Sequence, residues 1–245
     1  TDAEFVDALR VIRSELGLDA AQLVTFMCNG VAARITDAEF VDALRVMRSE
    51  LGLDAAQLVT FMCDGVAARI TDAEFVDALR VIRSELGLDA AQLVTFMCNG
   101  VAARITDAEF VDALRVMRSE LGLDAAQLVT FMCNGVAARI TDAEFVDALR
   151  VMRSELGLDA AQLVTFMCGG VAARITDAEF VDALRVMRSE LGLDAAQLVT
   201  FMCGGVAARI TDAKFVDALR EQICLSQKRV RALCRQHPVQ RRRTN

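Results

Sequence analysis

"TDAEFVDALRVIRSELGLDAAQLVTFMCNGVAARI", from Thr1 to Ile35, decides the fold because the chain repeats this stretch almost unchanged. Six full copies of the 35 residues begin at Thr1, Thr36, Thr71, Thr106, Thr141 and Thr176. A seventh begins at Thr211 with "TDAKFVDALR" and then diverges. A fixed period of this length is typical of a solenoid, in which each helical unit buries its apolar face against its neighbours.

The first part of each unit predicts a long helix. In the second copy, Thr36 and Glu39 have the spacing of a T-x-x-E capping box. Apolar residues then recur at helical spacing from Phe40 to Leu51, and Gly52 can end the helix at the position that favours glycine.

The second part predicts a shorter helix and a turn. Asp54 caps this helix, Gln57 follows three residues later, and the helix stops at Asp64-Gly65. The "VAARI" that follows can begin a long helix that runs on through the next capping box, or it can form a separate turn. The periodicity permits both.

We therefore predict an all-α, right-handed α-solenoid (superhelix) of 35-residue helical repeats. Residues 1–210 would form the six repeats, residues 211–235 a degenerate C-terminal capping repeat, and residues 236–245 a basic, disordered tail. Because the chain starts in mid-pattern without Met, we expect it to be an excerpt of a longer protein.

Composition excludes several classes of function. No window holds 18 apolar residues in a row, and no signal peptide is visible, so we expect an intracellular protein without a membrane partner. Six of the eight cysteines occupy one repeat position and would point in parallel, which predicts reduced thiols. The lone His237 completes no usual zinc site, and carboxylates copied six times do not make a single catalytic constellation. We predict no enzyme activity, no cofactor and no small-molecule substrate.

Variation between the six copies is confined to two positions. One alternates between Ile12 and Met47 and their equivalents, which is a volume-conserving swap in the core. The other is the residue between a cysteine and a glycine, which in chain order is Asn29, Asp64, Asn99, Asn134, Gly169 and Gly204. We call it the variable position.

A structural explanation for the variable position is that Asn, Asp and Gly all tolerate a left-handed helix end. This explains the residue types better than it explains the restriction to one position. Exposed residues such as Ser14 and Glu15 are free to drift, yet they are constant. The pattern therefore favours a functional role for the variable position.

The unit resembles the repeats of transcription activator-like effectors and their relatives. Re-phased from Leu18, it has Leu18, Gln22 and Val24 in a short first helix, then Cys28, Asn29 and Gly30, then a long apolar-patterned helix. The likeness covers about residues 1–220 and lies in period, helix order and the variable spot, while residue identity is low, as in a divergent relative. It implies two helices per repeat, joined by a loop whose variable pair reads one base of double-stranded DNA through its second member.

Two registers of that pair are possible. Without a gap the pair is Asn29-Gly30, and the base would always face glycine. With a one-residue gap the pair is Cys28-Asn29, and the base faces the residue that varies. We prefer the second register, which also matches Gly30 to the family's glycine after the pair.

The chemistry of the three residue types supports this choice. Asp can accept a hydrogen bond from the cytosine amine, Asn can bond a purine edge, and Gly leaves space for the thymine methyl group. If the family's code applies, the array reads a purine (guanine favoured), C, purine, purine, T and T. The base-reading residues would be those at the variable position. The residues that support the loop would be Cys28, Cys63, Cys98, Cys133, Cys168 and Cys203, with Gly30, Gly65, Gly100, Gly135, Gly170 and Gly205.

Charge is the main objection to DNA binding. The net charge is −7, and a typical repeat has five acidic residues against three arginines. An acidic protein is a poor general DNA binder unless its cations are clustered. The resemblance implies phosphate contacts for one arginine of each repeat, namely Arg34, Arg69, Arg104, Arg139, Arg174 and Arg209. The alternative is that Arg34 pairs with a nearby carboxylate such as Asp37 or Asp2.

Other functions compete with DNA binding. A protein-binding solenoid explains the acidity, but its groove normally varies several large side chains. Single-stranded RNA binding is the weaker alternative, because Phe5 and Phe26 are the repeat's aromatics and both fit core positions. We expect a monomer in the cytoplasm or nucleoid, or in a host nucleus if the protein is a delivered effector. The cationic tail, which includes Arg241, is expected to be mainly a solvated end, with phosphate contact or a localisation signal as minor alternatives.

Overall fold

The structure is a computed structural model that describes residues 2–62, 65–98, 100–132, 135–212, 214–215, 217–218 and 221. These residues form helices and turns, and they contain no strand. The chain divides into two compact units, Thr1–Arg150 and Val151–Asn245. The predicted all-α class is confirmed. The predicted capping repeat and basic tail lie outside the described residues, apart from the few positions given after 210.

One long helix occurs in each repeat. The long helices are Asp2–Leu16, Ala38–Glu50, Ala73–Leu86, Ala108–Leu121, Ala143–Ser154 and Ala178–Leu191. The predicted Thr36 cap is wrong by one residue, because Asp37 is the N-cap and its carboxylate accepts the Glu39 N–H at 3.0 Å. The Asp37 N–H first donates to the Arg34 carbonyl, which closes the preceding turn and delays the start of the helix. Gly87 and Gly122, both left-handed, end two of the long helices as predicted for Gly52.

One short helix also occurs in each repeat. The short helices are Ala20–Phe26, Ala55–Phe61, Ala90–Met97, Ala125–Met132, Ala160–Phe166 and Ala195–Cys203. The predicted cap is confirmed: the Asp54 carboxylate accepts the Gln57 N–H at 2.8 Å, and the Gln57 side chain accepts the Asp54 N–H at 2.9 Å. This reciprocal box fixes where the helix begins.

A separate turn joins each short helix to the next long helix. The helical segments in these turns are Met27–Val31, Val66–Arg69, Val101–Ala103, Val136–Ala138, Met167–Val171 and Val206–Ala208. The "VAARI" segment therefore does not continue into the long helix. It ends because Asp37 and its equivalents are extended, with φ −83° and ψ 116° at Asp37.

The core is apolar and recurs from repeat to repeat. Phe40 of a long helix and Phe61 of a short helix are at most 1% exposed, as are Leu44, Met47 and Leu58. No polar or charged residue is buried in the described part of the chain. Hydrophobic burial therefore supplies the main stabilisation of the packed helices.

Equivalent helices of neighbouring repeats pack together. In the unit Thr1–Arg150, Ala20–Phe26 contacts Ala55–Phe61, and Asp2–Leu16 contacts Ala38–Glu50. In the unit Val151–Asn245, Ala160–Phe166 contacts Ala195–Cys203. Within each unit, this packing places neighbouring short helices side by side, and in the unit Thr1–Arg150 the turns Met27–Val31 and Val66–Arg69 are also in contact.

Candidate nucleic-acid interface

At the three places where the structure describes it, Asn29, Gly169 and Gly204, the variable position lies shortly after the end of the short helix, and its backbone is not left-handed. Asn29 has φ −81° and ψ 25°, and Gly204 has φ −74° and ψ 16°. The constant glycine that follows is the left-handed residue, with φ 79° at Gly30 and 81° at Gly205. The structural explanation for the variation is therefore wrong at these positions, because the turn demands glycine only at the residue that never varies.

Exposure differs among the described variable residues. Gly169 and Gly204 are exposed, and Asn29 is half-buried. The Asn29 side-chain amide donates to the Val59 carbonyl at 3.1 Å, and Val59 belongs to the short helix of the following repeat. The structure describes neither Asp64, Asn99 and Asn134 nor the loop cysteines Cys63 and Cys133.

The cysteine before the variable position faces the preceding repeat. The Cys203 thiol lies 3.7 Å from the Thr165 carbonyl, and the Cys98 thiol lies 4.0 Å from the Thr60 carbonyl. Both carbonyls come from the last turn of a short helix. Cys28, Cys98, Cys168 and Cys203 form no disulfide bond. Two of the six cysteines therefore contact the preceding repeat, and a loop-supporting role for them stays a prediction.

The arginine five residues after the variable position connects repeats. Arg34 donates from Nη1 to the Ala67 carbonyl at 2.7 Å and from Nη2 to the Thr71 hydroxyl at 2.9 Å. Its guanidinium lies 4.7 Å from the centre of the Phe40 ring and its Nη2 lies 3.7 Å from the Asp37 carboxylate. The alternative in which Arg34 pairs with Asp37 is therefore present in the structure, together with one bond to the next repeat, at Ala67, and one to the first residue of the repeat after it, Thr71.

The same arrangement recurs along the chain. Arg104 donates to the Ala137 carbonyl at 2.7 Å and to Thr141 at 3.0 Å, and it stacks on Phe110. Ring contacts are likewise present at Arg69, Arg139, Arg174 and Arg209. A guanidinium carries more N–H donors than these bonds use, so a phosphate contact for this arginine stays a prediction.

Each repeat has two further arginines, equivalent to Arg10 and Arg13, whose partners were not predicted from the sequence. Arg83 donates to the main-chain carbonyl of Glu50 at 2.5 Å, at the C-terminal end of the preceding long helix. A cation is favoured there, because the last carbonyls of a helix lack partners and carry a partial negative charge. The signal in the sequence is a second arginine, three residues after the first, near the end of each long helix, as Arg83 follows Arg80.

The remaining arginine forms ion pairs between long helices. Arg115 donates to the Glu85 carboxylate at 2.7 and 2.9 Å and also to Asp112. These hydrogen bonds hold the pKa of the Glu85 carboxyl below its ordinary value, and the same contact from Arg45 lowers the pKa of Glu15. Arginines such as Arg83 and Arg115 are therefore already engaged with protein groups, which strengthens the objection from charge, whereas the buried Nη1 atoms of Arg153 and Arg188 have no hydrogen-bond partner in the described part of the chain.

Comparison of the chain with protein-family models, with curated proteins and with solved structures found no match. The described residues contain no group of three or more His, Cys, Asp and Glu side chains that could hold a metal ion. None of the helices in this part of the chain has the length and apolar character needed to cross a bilayer.

Proposed function

We propose that the chain binds double-stranded DNA in the major groove with sequence specificity, one repeat to one base pair, and that the variable position reads the base. The observation that carries the proposal is the contrast between neighbours in the turn. Gly30 is constant and conformationally required, whereas Asn29 occupies a backbone conformation that any residue can adopt. Selection for base recognition would produce this pattern, in which the residue type changes only at a position that the backbone does not restrict.

The loop geometry supports the register Cys28-Asn29. Cys98 and Cys203 direct their thiols toward the preceding repeat, and the glycine after the variable position provides the left-handed turn. These two roles leave the residue between them as the one whose side chain can change. We therefore assign Asn to purine (guanine favoured), Asp to cytosine and Gly to thymine.

The proposal includes a superhelical path of the repeats around the duplex. In the unit Thr1–Arg150, the turns Met27–Val31 and Val66–Arg69 of neighbouring repeats are in contact. A right-handed solenoid of 35-residue units would carry this row of turns along the groove, as a monomer. The base pairs would then be read in chain order.

The phosphate contacts require a test of their own. At a temperature well below unfolding, Arg104→Ala should weaken binding to every duplex alike and reduce the dependence of affinity on salt. A loss that differs between sequences would contradict a phosphate role for Arg104. Because Arg104 also joins repeats, the thermal unfolding of the variant must be measured first.

The direct experiment is a selection of binding sites from random duplex DNA with the full chain. We expect enrichment of purine, C, purine, purine, T and T at consecutive positions. Selection without enrichment would contradict the proposal. Titration with RNA and DNA duplexes of matched sequence separates RNA binding, which the proposal expects to be the weaker.

One observation favours the second candidate, a protein-binding scaffold. A groove between neighbouring long helices is lined by Val46 and Val76 and by three acidic residues and one cation, namely Glu39, Asp42, Asp77 and Arg80. Such a groove suits an aliphatic, cationic partner segment. Binding of a lysine-rich and leucine-rich peptide at physiological salt, together with a DNA selection that enriches no sequence, would favour the scaffold.

A further inference from the structure

The end of each short helix is a junction between repeats. The last carbonyls of an α-helix have no partner within the helix. In the second repeat, the Met62 N–H bonds back to Leu58 and Thr60, and the Val59 carbonyl accepts the Asn29 amide of the repeat before it at 3.1 Å. Asn29 thus caps a helix that belongs to its neighbour.

The following repeat contacts the same helix end from the other side. The Cys98 thiol lies 4.0 Å from the Thr60 carbonyl, one residue beyond Val59. In the second unit, the Cys203 thiol lies 3.7 Å from Thr165 and 3.4 Å from where a Cβ on Gly169 would be. The variable position and the neighbouring cysteine therefore meet at one place.

The three residue types differ in what they can do at this junction. Asn supplies an N–H donor to the neighbour's carbonyl. Asp at neutral pH has only acceptors, and its charge would face both a carbonyl and the negative end of a helix dipole. Gly supplies neither a donor nor a charge. The same substitution that changes base chemistry thus changes the contact with the next repeat.

We propose that the variable residue sets a coupling between neighbouring repeats, so that each repeat's residue helps determine how firmly the next repeat's short helix and turn are held. Asn holds the next repeat, Gly leaves it unassisted, and Asp loosens it. The extension to base recognition rests on the proposed DNA binding. There, a base that takes the Asn amide competes with the Val59 carbonyl.

The coupling is testable in the free protein. Three full-length variants carry only Asn, only Gly or only Asp at all six variable positions, and thermal unfolding is followed without DNA. We expect the midpoint to be highest for Asn and lowest for Asp, with a spread on the order of 5 °C. Equal midpoints for the isosteric Asn and Asp variants would overturn the coupling.

A salt control separates the hydrogen bond from general charge repulsion. In 1 M salt the Debye length is about 3 Å, so repulsion between distant carboxylates is screened. The difference in unfolding midpoint between the Asn and Asp variants should remain in 1 M salt, because the Asp side chain still has no N–H to donate to the neighbouring carbonyl. A difference that vanishes in 1 M salt would assign the effect to net charge and contradict the coupling.

A DNA measurement completes the test. Asn29→Gly changes the first repeat, and the mismatch penalty is then measured at the second base pair, which Asp64 would read. Coupling predicts that the second penalty changes by at least about twofold. An unchanged second penalty would refute the coupling in base recognition. If affinity depends on the base at none of the pairs, the DNA proposal is refuted. The thermal unfolding experiment then still tests the coupling between repeats.

Discussion

Asn29 and Arg34 lie five residues apart in one turn, yet the first position varies between repeats and the second is constant. Arg34 contacts the Ala67 carbonyl, the Thr71 hydroxyl and the Phe40 ring, so replacing it would break contacts to three places at once. Asn29 has an ordinary backbone conformation and can be exchanged without rebuilding the turn. The turn from Asn29 to Arg34 therefore combines a constant arginine that connects repeats, which we call the joint, with a position that can be exchanged.

The largest effect is expected from breaking the joint. Arg104→Ala removes the bonds to Ala137 and Thr141 and the stacking on Phe110. We expect a loss of about 2–3 kcal/mol in the free energy of unfolding, measured by urea denaturation. The control is Arg10→Ala, whose side chain is 75% exposed and bonds Asp7, and it should cost at most about 1 kcal/mol. Equal losses in the two variants would show that the joint contributes no more than a surface ion pair.

Adjacent glycines in the fifth repeat provide a second, smaller contrast. Gly170 has φ 77°, and a Cβ there would meet nothing within 4 Å, so Gly170→Ala carries only a conformational cost of about 1–2 kcal/mol. Gly169 has helical dihedral angles, and Gly169→Ala should be neutral or slightly stabilising. Thermal unfolding of the two variants measures the difference. A larger loss at Gly169 would contradict the assignment of the fixed and exchangeable positions.

Some of the helix ends in each repeat could be predicted from the sequence, and others could not. The Asp54–Gln57 box and the helix end at Gly52 follow from local chemistry, because donor and acceptor lie a few residues apart. The cap at Asp37 was misplaced by one residue, since either Thr or Asp can serve as an N-cap and the closing bond to Arg34 decides.

Contacts between repeats escaped sequence reasoning for a physical reason. Arg34 bonds a residue 33 positions away, and Asn29 bonds one 30 positions away. Their spacing is set by how the helices pack, which a single unit's sequence does not contain. The variable position itself was found from sequence, because identical surroundings made its change visible.

The smallest expected effect concerns the exposed ion pairs between long helices. The pKa of Glu15, Glu85 and Glu120 is lowered because Arg45, Arg115 and Arg150 donate hydrogen bonds to their carboxylates. A lowered folded-state pKa means that the stabilisation is present above the ordinary value of about 4.5 and is lost as the pH falls through the lower folded value.

Glu85→Gln tests this contribution. The variant should unfold at a slightly lower temperature than the parent at pH 7, and this difference should close as the pH falls below the ordinary carboxyl pKa of about 4.5 and through the lower folded-state pKa of Glu85. A difference that grows on acidification would contradict the assignment of the lowered pKa. The exposure of both partners keeps the expected shift small.

The most direct test of the central claim is a competition titration of the parent protein and Asp64→Asn with duplexes that differ only at the second base pair. We expect the parent to prefer C there by about tenfold and the variant to prefer a purine, with preferences at the third to sixth pairs unchanged. The same preference at the second pair in both proteins, or none in either, would contradict base reading by the variable position.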